Sequence, residues 1–411
     1  MSHSKDLRQL NIVHVTTVDI GGAYKAVQRL MHATESHLSL KSDILLRNKL
    51  NENNDGEVFL DTGLKSISSK AKNVVNMLWS EGEVSGDRLG SDITDHPLIK
   101  NADIIVIHWI NSFLSMDNIE EVINLGKPVV IMLHDMWHFT GGCPCDGYCE
   151  KYSTGCHNCP LLSASKKSLS EYNLRRKTAT YKGKKVTVIA PSNWILEHAH
   201  LSPVFKDQDM RKISNCIDNY FYSPVDKSKA RETMEVPDDK PVVMFASVKG
   251  GNKNKNKGFN YLLDALEELD KDEVHLLILG DIDDESLARI RQPYTLYGFI
   301  RDERMMPIAY SAADVTVVPS LQESFSYSVC ESMSCGTPVV AFPIGGILDQ
   351  IEHKKNGYFA EFKDADDIAA GIRYCIEHNA ELGENARAGA ARFSYENIGK
   401  QWVELFEELT K

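Results

Sequence analysis

The chain has 411 residues, 42% of them hydrophobic and 25% charged, which is enough apolar material for two or three domains with real cores. A formal charge of −12 argues against a general nucleic-acid binder. No apolar run is long enough to span a bilayer, and the polar start Met1–Gln9 lacks the apolar stretch of a secretory signal. A cytosolic, multi-domain α/β protein is expected. Short β-branched runs recur at Asn11–Val15, Asp43–Leu46, Asp103–Ile107, Val129–Leu133 and Val186–Ala190, separated by helical patterns. After a charged, turn-rich stretch, Leu201–Pro237, a second series follows at Val242–Ala246, Val274–Leu279, Thr295–Tyr297, Val315–Val318 and Val339–Phe342. Near-continuous apolar strands alternating with helices predict parallel sheets covered on both faces. The expected architecture is therefore two doubly wound, Rossmann-like α/β domains facing each other across a cleft. We set the first at residues 10–215, with a Cys-rich insert at 141–160, and the second at 216–394. Residues 395–411 form an amphipathic helix with Ile398, Trp402, Leu405 and Phe406 on one side. It either caps the second domain or crosses back onto the first.

Chemistry-bearing residues cluster where these strands end. Gly21-Gly22 sits between the first strand and a helical pattern, where backbone N–H groups can approach an anion, although a tight turn alone would also use such glycines. The spacing is neither G-x-G-x-x-G nor a Walker loop. His108-Trp109-Ile110-Asn111 and His134-Asp135 end two further strands at the edge where open α/β sheets hold ligands. For a lone histidine there, core packing is the competing reading. In the second half, Glu323 precedes a helix that carries Glu331. Eight residues along a helix span roughly 12 Å. A carboxylate pair sharing one bond in a retaining glycosidase needs about 5–5.5 Å. Two acceptors gripping an elongated ligand fit better, with solvated charges as the alternative.

The stretch Ser311–Gly336 resembles the signature of family 4 glycosyltransferases, retaining enzymes of GT-B architecture. Ala313-Asp314, Pro319-Ser320, Glu323, Glu331, Gly336, Pro338, Val339 and Val340 match in order, with Ser326 where the family usually has glycine. A less permissive backbone is expected there. The resemblance implies a nucleotide-sugar donor and a glycan or lipid-linked acceptor. Lys257 of Lys257-Gly258 would neutralise the diphosphate, with Lys249, Lys253 or Lys255 as its companion. Glu323 would hold sugar hydroxyls and Glu331 the ribose. Ser324, Phe325, Ser326, Tyr327 and Ser328 would line the donor, and Gly21 and Gly22 would help to stabilise the charge on its leaving diphosphate. Gly298 and Phe299 would read the nucleobase, unless Phe299 is core. His134 would act beside the transferred sugar, and His108, Asn111 and Asp135 would line the acceptor. No catalytic metal is implied. Competing classes are a nucleotide-sugar epimerase or hydrolase of the same shape, and a non-catalytic binding protein.

Five of nine cysteines lie between Cys143 and Cys159. Cys143, Cys149, Cys156 and Cys159 predict a structural zinc site, free thiols or oxidised pairs being the alternative. The insert resembles that of colanic-acid or capsule-type bacterial members of the family. The basic run Lys166–Lys185 is read either as a face for anionic lipid at the inner side of a membrane or as a solvated helix.

Overall fold

The computed structural model describes residues 9–35, 40–59, 76–77, 80–82, 84–86, 88–246 and 255–411. Backbone contacts divide the chain into two units. One runs to Cys216 and takes up Ile398–Lys411, and the other is Ile217–Asn397.

The first unit is built on β1 (Leu10–Val18), β2 (Leu40–Asn48), β3 (Glu57–Val58), β4 (Ile104–Ile107), β5 (Val129–Met132), β6 (Thr187–Ala190) and β7 (Asp209–Lys212). They form one sheet in the order β3-β2-β1-β4-β5-β6-β7. Every pair is parallel. β4, β5 and β6 are buried along their whole length, which is why they read as unbroken apolar runs. Val13, Val15, Ile105, Ile107 and Ile131 pack on one face with Ile119, Val122 and Phe113. Strand alternation turns His14 to the other face. On that face Met132, His108 and His134 share a hollow with Ala26 and Leu30 of the helix Gly21–Glu35 and with Trp402.

β7 lies inside the stretch read from the sequence as a linker. It is a polar edge strand with exposed ends, so neither apolar alternation nor burial marks it. Its Arg211 grips Glu408 through two hydrogen bonds of 2.8 and 2.6 Å. That contact, with buried Ile398, Trp402, Val403, Leu405 and Phe406, holds the closing helix Tyr395–Leu409 within the first unit beyond its opening residues.

The second unit carries β8 (Val242–Ala246), β9 (His275–Leu279), β10 (Tyr294–Gly298), β11 (Val315–Val318), β12 (Val339–Ala341) and β13 (Gly357–Phe359). Their order is β10-β9-β8-β11-β12-β13, again all parallel. Val243, Val315, Val317 and Val339 pack on one face with Phe259, Leu262 and Ile372. Met244, Leu277 and Leu279 pack on the other with Tyr310, Cys330 and Phe393. Asp314, part of the Ala-Asp signature, is structural. It accepts from Arg231 at 2.6 Å, from Lys227 at 2.5 Å and from the backbone N–H of Val242 at 2.6 Å, tying the helix Lys227–Thr233 to the start of β8.

The closing helix approaches its neighbour through a glycine: a Cβ at Gly399 would lie 2.2 Å from the carbonyl oxygen of Ala33. Gly399→Ala should therefore destabilise the first unit by about 1–3 kcal/mol, as overpacking does. A thermal melt should register this as a lowered Tm. An unchanged Tm would mean that the helix is not seated as described.

Candidate functional site

In both sheets the strand order reverses beside the first strand, between β1 and β4 and between β8 and β11. The loops leaving those strands diverge to opposite faces, and open α/β sheets bind ligands in the gap this leaves. Gly21-Gly22 and His108 follow the strands at that point in the first unit, and Lys257 and Glu323 those in the second; His134-Asp135 follows the next strand, β5, and Gly298-Phe299 ends the edge strand β10.

In the second unit, the turn after β8 brings up Lys257 and the loop after β11 brings up Glu323. Lys257 Nζ donates to Glu323 Oε1 at 2.5 Å, and Ser320 Oγ donates to the same oxygen at 3.1 Å. Backbone close approach makes this possible. Gly258 has φ +65°, and a Cβ there would lie 1.7 Å from the Pro319 carbonyl oxygen. Leu321 N–H donates to Asn256 O at 2.8 Å, locking the two loops together. The loop after β12 closes on Glu323 from the other side. Gly346 N–H donates to its carbonyl at 2.8 Å, and Gly345, at φ +51°, leaves no room for a Cβ. Of the companion lysines, Lys249 and Lys253 lie outside the described residues, as does the side chain of Lys255.

Ser326, expected to stiffen the backbone where relatives carry glycine, causes no strain. Its φ is −98°, and its hydroxyl caps the helix Tyr327–Ser334 by accepting from Val329 N–H. Gln350 fixes it further, accepting from Ser326 N–H at 3.3 Å and donating to Ser326 O at 2.8 Å. Ser324, Tyr327 and Ser328 are half-buried around this helix start. The Phe325 ring packs against Tyr327 and Phe393, so only its backbone can meet a ligand. Glu331 is not a solvated helix residue: it is buried, and Tyr310 OH donates to its Oε2 at 3.1 Å. The core reading of Phe299 also falls, since its ring is 70% exposed. It follows Gly298, whose φ is +73° and whose carbonyl accepts from Gly280 N–H.

In the first unit, Gly21 (φ +85°) and Gly22 begin a 15-residue helix, and nothing lies within 4 Å of where their Cβ atoms would be. Among the described residues, then, close packing does not account for these two glycines. His108 and His134 are joined directly, His108 Nδ1 to His134 Nε2 at 2.8 Å. His14, inside the first apolar strand and not singled out from the sequence, completes the row with its Nδ1 2.9 Å from His108 Nε2. Burial holds all of them neutral: His14 and His138 are pushed down to about 3 and His134 to about 4, with His108 also well below the usual value. Asp135 accepts from Trp137 N–H at 2.8 Å, and burial pushes its carboxyl up to about 6. The side-chain oxygen of Asn111 is buried without a partner among the described residues, an acceptor awaiting a donor.

Two expectations are corrected. Cys143, Cys149, Cys156 and Cys159 line one narrow hollow of about 10 Å³ together with Val84 and Tyr152. Yet among the described residues no group of three or more His, Cys, Asp or Glu side chains is arranged to hold a metal ion. Spacing brought the four cysteines to one place without forming a zinc tetrad. Without a metal, burial pushes Cys143 up to about 12 and Cys156 to about 11, and in that state they pack as small apolar groups. The basic run is not one solvated face either. Lys177 is fully buried, donates to the carbonyls of Trp137 and Thr140, and lies 3.6 Å over the Trp137 ring. Arg175 pairs with Glu171, Arg176 with Asp117 and Lys184 with Glu120. No helix among the described residues is long and apolar enough to cross a membrane.

Sequence reasoning missed His14, Lys177 and the Gly345-Gly346 pair. A histidine inside an apolar strand was itself a signal, since a buried polar ring needs a partner. Lys177 carried none, standing among lysines and arginines that do face solvent.

Residues 240–378 match a family model described as glycosyl transferases group 1. The chain is 30% identical over 199 residues to a D-inositol 3-phosphate glycosyltransferase of Xylanimonas cellulosilytica, covering 45% of this chain and 46% of that protein. It thus spans about half the length of the curated relatives it matches. Solved structures match far more of it at lower identity. Sucrose-phosphate synthase from Thermosynechococcus elongatus has a TM-score of 0.68 at 20% identity, over 98% of this chain and 99% of that one. Anabaena HepE, in complex with UDP-glucose, has a TM-score of 0.68 at 19% identity, over 97% and 100%. The two-sheet fold is therefore that of GT-B glycosyltransferases.

The buried histidines set an acid limit on stability. Unfolded, each titrates near 6.5, so between about pH 4 and 6.5 the unfolded chain binds more protons than the fold. Their stabilising contribution is present above pH 6.5 and lost as pH falls. Asp135 runs the opposite way: its raised value makes the fold the better proton binder between about pH 4 and 6. Tm should fall from pH 7.5 to 4.5, because four histidines outweigh one carboxyl. Asp135→Asn should melt higher than the parent at pH 7.5, with the gap closing near pH 4. A gap that does not change with pH would contradict the desolvation of that carboxyl.

Proposed function

We propose, from the match of residues 240–378 to the glycosyl transferases group 1 model, that this chain belongs to that family and transfers a sugar from a nucleotide donor to a hydroxyl acceptor with retention of anomeric configuration. The observation that carries the reading is the Lys257–Glu323 pair at the β8/β11 switch point, with Glu323 four residues before the helix Tyr327–Ser334. Breaking the glycosidic C–O bond leaves negative charge on the diphosphate. Lys257 and the N-terminus of Tyr327–Ser334 supply fixed positive charge for it, and preorganised donors stabilise such charge best away from water. Glu323, anchored by Ser320, accepts from sugar hydroxyls, while the donor's phosphates take over Lys257. Glu331, oriented by Tyr310, takes the ribose, and the Gly298-Phe299 turn takes the base. The first unit serves the acceptor through Asn111, Asp135 and His108, with His134 at the transferred sugar and Gly21-Gly22 near the phosphates. No side-chain nucleophile is needed if the leaving phosphate oxygen takes the acceptor proton.

HepE holds UDP-glucose, and so UDP-sugars head the donor panel. For the acceptor we favour a glycan or lipid-linked glycan of a bacterial polysaccharide made at the cytoplasmic side of a membrane. Lys167, Lys182 and Lys185 remain exposed to meet an anionic surface there. The test is donor turnover with and without an acceptor mixture. Glu323→Gln and Lys257→Ala should each lower acceptor-dependent turnover by about 100-fold or more, the scale of lost electrostatic stabilisation, with Tm kept. Full-rate donor breakdown without acceptor would instead favour a hydrolase or epimerase. Unchanged turnover in both variants would remove this site from the chemistry.

A further inference from the structure

One short stretch of the second unit grips the loop after β11 at two points. Beyond β12 the chain turns through Gly345–Asp349 and reaches Gln350. Gly346 N–H donates to the Glu323 carbonyl oxygen at 2.8 Å. Gln350 is buried, and its side chain meets Ser326, three residues along the same loop. Its Oε1 accepts from Ser326 N–H at 3.3 Å, while its Nε2 donates to Ser326 O at 2.8 Å and lies 2.9 Å from Cys330 Sγ. One amide thus serves both the donor and the acceptor of a single backbone residue. That pairing fixes which end of the amide is oxygen, because an N–H needs an acceptor and a carbonyl a donor. Arg392 braces the backbone behind it, donating to the carbonyls of Asp349 at 2.7 Å and Gln350 at 2.9 Å.

Ser326 is the N-cap of the helix Tyr327–Ser334, and its carbonyl accepts the first helical bond, from Cys330 N–H at 3.3 Å. Holding both peptide groups of the cap therefore sets where the helix end points. The same stretch holds Glu323, so the separation between that carboxylate's residue and the helix start is fixed from one side. A neutral amide suits this place better than a carboxylate of the same shape. An ionised carboxylate could accept from Ser326 N–H, but it would also face the Ser326 carbonyl oxygen. It would set negative charge beside a helix end that favours anions.

We propose that Gln350 is a positioning residue for the donor: acting through Ser326, it aims the start of the helix Tyr327–Ser334 at the diphosphate while Gly346 keeps Glu323 at the sugar. The bond that breaks lies between those two parts of the donor, and a displacement of one relative to the other by about 1 Å can cost roughly 100-fold in rate. This inference rests on the glycosyltransferase reading above, which places the sugar at Glu323 and the diphosphate at the helix start.

The test is calorimetric binding of UDP, GDP, ADP, CDP and dTDP to the full-length protein, followed with whichever nucleotide binds best. Gln350→Met keeps the volume and loses both hydrogen bonds. At pH 7.5 and well below its Tm it should bind that nucleotide at least about tenfold more weakly, the scale of a buried hydrogen bond removed. Gln350→Glu separates positioning from packing. Around that side chain lie the Ser326 peptide groups and the Cys330 thiol, while the Arg392 guanidinium reaches only the backbone carbonyl. Burial and the Ser326 carbonyl both favour the protonated acid there. Protonated, it can donate and accept as the amide does; ionised, it cannot. Its affinity relative to the unaltered protein at the same pH should therefore be near parity at pH 6 and fall as pH rises to 8.5. If Gln350→Met does not fold, that ratio decides alone. A folded Gln350→Met that binds like the unaltered protein, or a Gln350→Glu ratio that is the same at both pH values, would overturn the inference and leave the functional reading intact. If the unaltered protein binds none of the five nucleotides, the functional reading fails and this inference with it.

Discussion

Parallel pairing is the constraint from which the rest of each unit follows. A parallel strand cannot return through a tight turn, so every connection crosses over a face of the sheet and all strands end at the same edge. Among the described residues thirteen strands in two sheets obey this, and in each sheet the crossover direction changes once. The loops at that change are drawn apart, and the residues between them are the ones with room for a ligand. Lys257, Glu323, His108, His134 and Gly21 all come after strands β8, β11, β4, β5 and β1, at the carboxyl ends the pairing gathers together.

The two sets of residues solve opposite electrostatic problems. Lys257 and Glu323 are partly exposed opposite charges, held together by loops that only glycine lets approach so closely. Their attraction is modest in water, and an incoming anion can compete for the lysine. The histidines sit where charge is too costly to keep. There the protein keeps neutral rings and joins them by hydrogen bonds instead of charge. Lys177 shows how a true buried cation is tolerated: two carbonyl oxygens and the face of Trp137 surround it, bracing the segment after His134-Asp135.

The insert between β5 and β6 shows the limit of reading ligands from spacing. Its cysteines do converge, but into a hollow with Val84 and Tyr152, beside a cluster with Leu162 and Leu169. Without a metal, apolar surroundings favour the protonated thiol there.

Local pattern was enough for the central strands, for two doubly wound sheets and for the loops that carry Lys257, Glu323 and His134, because buried parallel strands write unbroken apolar runs and glycine marks each close turn. It was not enough for β7, an edge strand whose polar residues look like a linker. Nor did it reach the burial of Glu331 against Tyr310, the interior place of Lys177 or the partnership of His14, whose ring meets one 94 residues away. Those facts depend on which strands lie side by side. A sequence records each residue's own chemistry and its near neighbours, while the partner that satisfies a buried polar group is set only when distant segments pack.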